Sequence, residues 1–202
     1  MSEDFFKVLE GYKRFREKYA VGHKSVLRSL ATRGQNPKAM VISCCDSRVD
    51  PGLMLQCDPG DLFIVRNVAN IVPPCEIDDK HHGTSAALEF GIKFLGIKEL
   101  IILGHSNCGG IEALLANHEK NHNDFISNWV SVVGAHQFQK DQIDDCAKYS
   151  LKNSYKNCMS FSWVRDKVTH GELNIHLWFF DIKTGQIYVH DSILDEYKVM
   201  EP

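Results

Sequence analysis

Three short, unbroken apolar runs constrain this chain more than any other feature: Ala39-Met40-Val41-Ile42, Asp61-Leu62-Phe63-Ile64-Val65 and Leu100-Ile101-Ile102-Leu103. Within each apolar stretch no polar residue alternates with the apolar ones, so both faces must be covered. Strands of a parallel sheet sandwiched between helices meet that demand. A helical pattern over Thr84–Leu95 separates the second run from the third, and this βαβ rhythm predicts an α/β fold.

Further elements extend the pattern. Phe5, Leu9, Tyr12 and Phe15 recur at helical spacing over residues 4–20, and a second short helix is expected over Lys24–Thr32. Gly34-Gln35-Asn36-Pro37 reads as a loop. Beyond His105, helices are expected over roughly Gly110–His118, Asn123–Gly134 and parts of 139–170, then strands over Asn174–Asp181 and Gln186–His190. Lys183-Thr184-Gly185 forms a hairpin turn between these strands, which makes the last one antiparallel. The expected architecture is a mainly parallel central sheet flanked by helices, in one domain over residues 1–202, with no internal repeat or linker.

The bulk numbers exclude several classes. A net charge of -3 gives no electrostatic reason to expect a nucleic-acid partner. No apolar run approaches the ~20 residues of a membrane span. The opening Met1-Ser2-Glu3-Asp4-Phe5-Phe6 lacks a basic segment followed by an apolar one, and its acids count against a transit peptide. Seven irregularly spaced cysteines do not form a disulfide framework, so reduced thiols in the cytoplasm are expected.

The first apolar run ends at Ser43-Cys44-Cys45-Asp46-Ser47-Arg48, the third at Gly104-His105-Ser106-Asn107-Cys108-Gly109-Gly110. Both clusters follow the carboxyl ends of expected parallel strands, where open α/β sheets place their ligands. His105 and Cys108 form an H-x-x-C pair at a strand-to-helix turn, and Cys44 is a candidate third ligand from a neighbouring strand. Two thiolates and an imidazole suit zinc, and three protein ligands leave a fourth position open, as in catalytic sites. A dipole at the following helix would favour the Cys108 thiolate. Against this stand chance occurrence of H-x-x-C and the ordinary role of buried cysteines as small apolar residues. Asp46 and Arg48, two apart, would share a face of an extended segment, where the guanidinium would orient the carboxylate and keep it ionised. The plain alternative is a surface ion pair.

Taken in order, Cys44-x-Asp46-x-Arg48, Pro59-Gly60-Asp61-Leu62-Phe63, Arg66-Asn67-Val68-Ala69-Asn70, Gly83-Thr84-Ser85-Ala86-Ala87 and Gly104-His105-x-x-Cys108-Gly109-Gly110 resemble the β-class carbonic anhydrases, most closely the plant-type subgroup. Trp129 and the two final strands also fit, so the resemblance covers nearly the whole chain. It implies one Zn2+ per subunit on Cys44, His105 and Cys108, with Asp46 and Arg48 as the catalytic dyad. It implies a substrate pocket that includes Gln35, Phe63, Val68, Phe90 and Gly109. The implied activity is reversible hydration of carbon dioxide to bicarbonate by zinc-bound hydroxide, in a homodimer or homotetramer whose 1–33 helical arm packs on a partner subunit. Three departures stand out: Cys45 replaces a common serine, Phe90 replaces a frequent tyrosine, and Val41 stands where some bacterial members carry the tryptophan of a regulatory bicarbonate pocket. That last regulation is therefore not expected.

Three rival readings remain at this stage: hydrolysis of a related molecule such as carbon disulfide on the same scaffold, a structural zinc without activity, and a Cys108–His105 nucleophilic hydrolase. The last leaves Cys44 and Asp46 without a role.

Overall fold

A computed structural model describes residues 3–23, 25–116, 124–135 and 137–201. The ends of three expected helices, at Lys24, at Asn117 and His118, and at Asn123, lie outside those residues. The apolar runs become β1 (Ala39–Cys44), β2 (Leu62–Asn67) and β3 (Glu99–His105), followed by β4 (Asn174–Asp181), β5 (Gln186–Asp191) and β6 (Glu196–Val199). They form one six-stranded sheet in the order β2-β1-β3-β4-β5-β6. The first four strands are parallel, while β5 and β6 add in antiparallel fashion. The sixth strand was not expected from the sequence. Its four residues are mostly exposed, so they carry no apolar run to betray it.

The unbroken apolar character of β1 and β3 follows from burial on both faces. Met40, Ile42, Leu100 and Ile102 enter a large core with Leu88, Ile111, Leu115 and Leu151. Val41, Ile101 and Leu103 enter a smaller one with Val49, Trp178 and Phe180 on the opposite face. Helices α4 (Gly83–Glu89), α5 (Gly109–Ala116), α6 (Phe125–Val130), α7 (Ile143–Cys158) and α8 (Ser162–Thr169) contribute to the larger core. The expected Thr84–Leu95 helix is α4 followed by a wider turn over Phe90–Phe94, where Leu95 N–H reaches back five residues to the Phe90 carbonyl.

On the smaller face lies α3 (Pro51–Met54), a single turn too short to show periodicity. Its start is nevertheless written locally: the Asp50 side chain accepts from Leu53 N–H, and Pro51 sits at the first helical position. The first two helices behave differently from the rest. Neither α1 (Glu3–Tyr19) nor α2 (Val26–Arg33) buries a single residue, and Val8 and Tyr12 of α1 are 65% and 63% exposed. One anchor is Tyr19, whose hydroxyl donates to Asp58 Oδ1 at 2.8 Å.

Two glycines permit close approaches above the sheet. A Cβ at Gly104 of β3 would lie 3.1–3.3 Å from the Leu151 side chain, so α7 seats directly on that strand. A Cβ at Gly110 would lie 2.6 Å from Val68 Cγ1 and 3.0 Å from Ala69 Cβ. Helix α5 therefore rests against the 68–70 turn only because residue 110 has no side chain. Gly110→Ala is expected to cost about 1–3 kcal/mol of stability through overpacking, read as a lowered urea midpoint with an unchanged slope.

Candidate metal centre and active site

Ser43 of β1 lies opposite Leu103 of β3, so Cys44 and His105 come at the carboxyl ends of adjacent strands, His105 one position further along than Cys44. Chain connections leave β1 toward β2 on one side and return to β3 on the other. The two strands thus flank the switch point where an open α/β sheet has its crevice. Cys108 follows His105 after a tight turn in which Asn107 takes a left-handed φ of 51°. Its carbonyl accepts from Glu112 N–H in the first turn of α5. Cys44, His105 and Cys108 are all buried, and their ligand atoms lie within 4.8 Å of one another. They are the one such group among the described residues.

The donor chemistry fits a metal ion. His105 Nδ1 lies 2.9 Å from the Ser106 carbonyl, which can only accept, so Nδ1 carries the proton and Nε2 presents a lone pair. That Nε2 is buried and has no hydrogen-bond partner. An unmet buried nitrogen beside two sulfurs is costly unless a cation takes the lone pairs, and two Cys with one His suit zinc. The Cys44 and Cys108 sulfurs are 4.0 Å apart, close enough to share a proton. The hydrogen bond from Cys108 holds Cys44 well below the usual thiol range, and the same bond, with burial, holds Cys108 above it. Burial pulls His105 down, but the neighbouring Cys44 sulfur and the Ser106 carbonyl outweigh it and leave His105 raised. Ala69 N–H adds a hydrogen bond to Cys44 Sγ at 3.4 Å, delivered by a left-handed Ala69 with φ of 62°.

Beside the ligands sits a fixed carboxylate. Asp46 Oδ1 accepts from Arg48 Nε at 2.9 Å and from the Arg48 backbone N–H at 2.9 Å, while Oδ2 accepts from Arg48 Nη2 at 2.7 Å. These bonds, the guanidinium first, hold the Asp46 carboxyl far below the ordinary carboxylate range. Asp46 Oδ2 stands 3.9 Å from His105 Nε2. The pairing does not come from an extended segment, as the sequence suggested. Val49 N–H bonds the Asp46 carbonyl, closing a turn that folds Arg48 back on Asp46. Arg66 of β2 braces this turn through the carbonyls of Cys44, Asp46 and Val49 and through Asp50 Oδ2, at 2.7–3.1 Å.

The expected substrate residues divide into two groups. Val68 and Gly109 lie with the ligands. Val68 lines an apolar cavity of about 430 Å³ with Cys45, Asn67, Phe125, Ile126 and Trp129, and its carbonyl accepts from Trp129 Nε1 at 2.7 Å. Gly109 is exposed beside Cys108, with open space where a side chain would stand. Gln35, Phe63 and Phe90 are not brought to this centre within one chain. Gln35 is exposed in the loop before β1, and Phe63 sits opposite Met40, at the amino end of the strands. Met40 and Cys44 are four residues apart, or ~13 Å along a strand. Phe90 stays with Phe63, their ring centroids 6.0 Å apart. Sequence reasoning missed the brace by Arg66 and the contacts around Asn107, because both depend on segments distant in the chain.

Comparison with known proteins agrees with this geometry. A family model described as carbonic anhydrase matches residues 39–187. The mitochondrial β carbonic anhydrase 6 of Arabidopsis thaliana is 39% identical over 160 residues. That stretch is 73% of this chain and 54% of the relative, so the chain spans about half of that protein's length. The solved structure of the β-carbonic anhydrase CcaA superposes with a TM-score of 0.87 at 29% identity, covering 98% of this chain and 100% of that one. A structure from work on two tetrameric β-carbonic anhydrases of the filamentous ascomycete Sordaria macrospora gives 0.76 at 27% identity, covering 93% and 97%. Motif order, sheet topology and metal-binding geometry converge, and the chain belongs to the β-carbonic anhydrases, a family of zinc enzymes that hydrate carbon dioxide.

Proposed function

We propose that this protein catalyses the reversible hydration of carbon dioxide to bicarbonate and a proton, in a single domain, with zinc held by Cys44, His105 and Cys108. The observation that carries the reading is the unpartnered Nε2 of His105, buried among two sulfurs and 3.9 Å from an arginine-held carboxylate. A zinc ion held by these three residues would supply Lewis acidity and make hydroxide available near neutral pH.

The chain's own residues do the rest. Asp46, ionised and fixed in one rotamer by Arg48, accepts the hydrogen bond of the attacking oxygen and so aims its lone pair at carbon. Carbon dioxide is apolar, and Val68, next in the chain to the Ala69 whose N–H bonds Cys44 Sγ, offers it an apolar wall rather than a charged one. Gly109 leaves room for the product next to Cys108. Cys45 lines the apolar cavity rather than the metal cluster, so no third cysteine competes for the open position. The two ligand thiols and the exposed Cys45 need a reducing compartment, and we place the enzyme in the cytoplasm on that ground.

Gln35, Phe63 and Phe90, far from their own metal centre, serve the site of a second copy in this reading, which makes the working unit a homodimer or a dimer of dimers. The exposed apolar side chains of α1 support the same assembly, since a 17-residue helix that buries nothing in its own chain has its packing surface to spare.

Stopped-flow hydration of carbon dioxide on zinc-loaded protein tests the chemistry. Cys108→Ala is expected to lose its zinc on dialysis, and Asp46→Ala to keep zinc while losing at least ~100-fold in kcat/KM. A zinc-replete wild type with no hydration at neutral or alkaline pH would overturn the reading. Mixing tests the assembly. Gln35→Ala and Cys108→Ala proteins, each impaired alone, are expected to regain activity when co-refolded, because a hybrid dimer holds one intact centre facing one intact Gln35. Sedimentation is expected to show no monomer at micromolar concentration.

A further inference from the structure

We propose that Asp144, in the first turn of α7, is a positioning residue for this site, acting through the Asn107 peptide and the Arg48 guanidinium on Asp46. The inference rests on the hydration chemistry proposed above and deepens it. Three consecutive contacts carry it. Asp144 Oδ1 accepts from Asn107 N–H at 2.7 Å, the Asn107 carbonyl accepts from Arg48 Nη2 at 3.2 Å, and that same Nη2 donates to Asp46 Oδ2 at 2.7 Å.

Each link has a physical reason to exist. Asn107 has a left-handed backbone, a conformation L residues adopt at a cost, and it needs a partner to hold it. Asp144 supplies one from outside the turn. With the N–H tied down, Asn107 is held in its left-handed conformation, and that conformation directs the carbonyl of the following peptide toward Arg48. Arg48 is half exposed, so its long side chain would otherwise sample several rotamers. The carbonyl restricts it to the one in which Nη2 meets Asp46.

The position of Asp144 is itself set by the fold. Asp144, Ala147 and Leu151 fall at i, i+3 and i+7, one face of α7. Leu151 seats against Gly104 at the end of β3, and two turns earlier that face meets the turn that follows the same strand. The core contact and the polar contact are therefore one docking event. Within the cluster, the residues facing Asp46 come from the β1 turn (Arg48) and from β3 (His105). The hydrogen bonds from Asp144 lead to Asp46 through Asn107 and Arg48.

Asp144→Ala and Asp144→Asn test this on the zinc-loaded enzyme, alone and in an Arg48→Ala background. Asp144→Ala is expected to retain zinc and lower kcat/KM for carbon dioxide roughly tenfold. Asp144→Asn keeps an accepting oxygen and is expected to recover most of that loss. In the Arg48→Ala background, Asp144→Ala is expected to add almost nothing, because the route through the guanidinium is already cut. Equal losses in both backgrounds, an unchanged rate, or loss of zinc from Asp144→Ala would overturn the inference. A crystal structure of Asp144→Ala separates it from the hydration reading. A rotated Asn107 peptide with Arg48 released from it is expected whether or not the protein hydrates carbon dioxide, and an unmoved Arg48 refutes the positioning role.

Discussion

The register between β1 and β3 governs the rest of this protein. With Ser43 opposite Leu103, the residue after one strand's apolar run and the residue ending the other stand together at the sheet edge. A slip of one position would turn Cys44 to the other face, since side chains alternate along a strand. The register is secured by burial on both faces: Met40 and Ile42 pack one way, Val41 the other, and none of them is exposed at all. Hydrophobic packing far from the metal centre therefore decides whether sulfur and imidazole meet there.

Around that edge, orientation is handed from backbone to side chain. The Ser106 carbonyl fixes the His105 tautomer, Arg66 holds three carbonyls of the 44–49 turn, and Arg48 occupies both oxygens of Asp46. Partly buried, charge-assisted hydrogen bonds of this kind are short and directional. They keep the Asp46 carboxylate ionised and fixed 3.9 Å from His105 Nε2. Two left-handed residues, Ala69 and Asn107, border the cluster: the N–H of one bonds Cys44 Sγ, and the carbonyl of the other accepts from Arg48. Strain of this sort is sustained because the surrounding contacts over-determine it.

Much of this was legible in the sequence. Unbroken apolar runs revealed doubly covered strands, and the polar residues immediately after them marked the functional edge. The metal ligands were readable because a zinc site needs particular donor atoms, and Cys44, His105 and Cys108 follow strand ends. Other features left no such trace. Strand β6 forms because β5 offers it a free edge, and its own residues are largely exposed. The pairing of Asp46 with Arg48 was foreseen, but its cause was not. A turn closed by Val49 N–H, rather than an extended backbone, brings them together.

The sequence by itself determined the fold class, the identity of the metal donors and the carboxylate–guanidinium pair. Those depend on local periodicity, on strand ends and on atom types. Tertiary structure alone decided which expected substrate residues share a chain's own site. Val68 and Gly109 lie at the carboxyl edge with the ligands, whereas Gln35, Phe63 and Phe90 lie toward the opposite end of the strands. It also decided that Asp144 meets Asn107, thirty-seven positions away in the chain. The reason in both cases is that strand direction and helix docking are set by burying apolar surface across the whole sheet, and no short stretch of sequence contains that information.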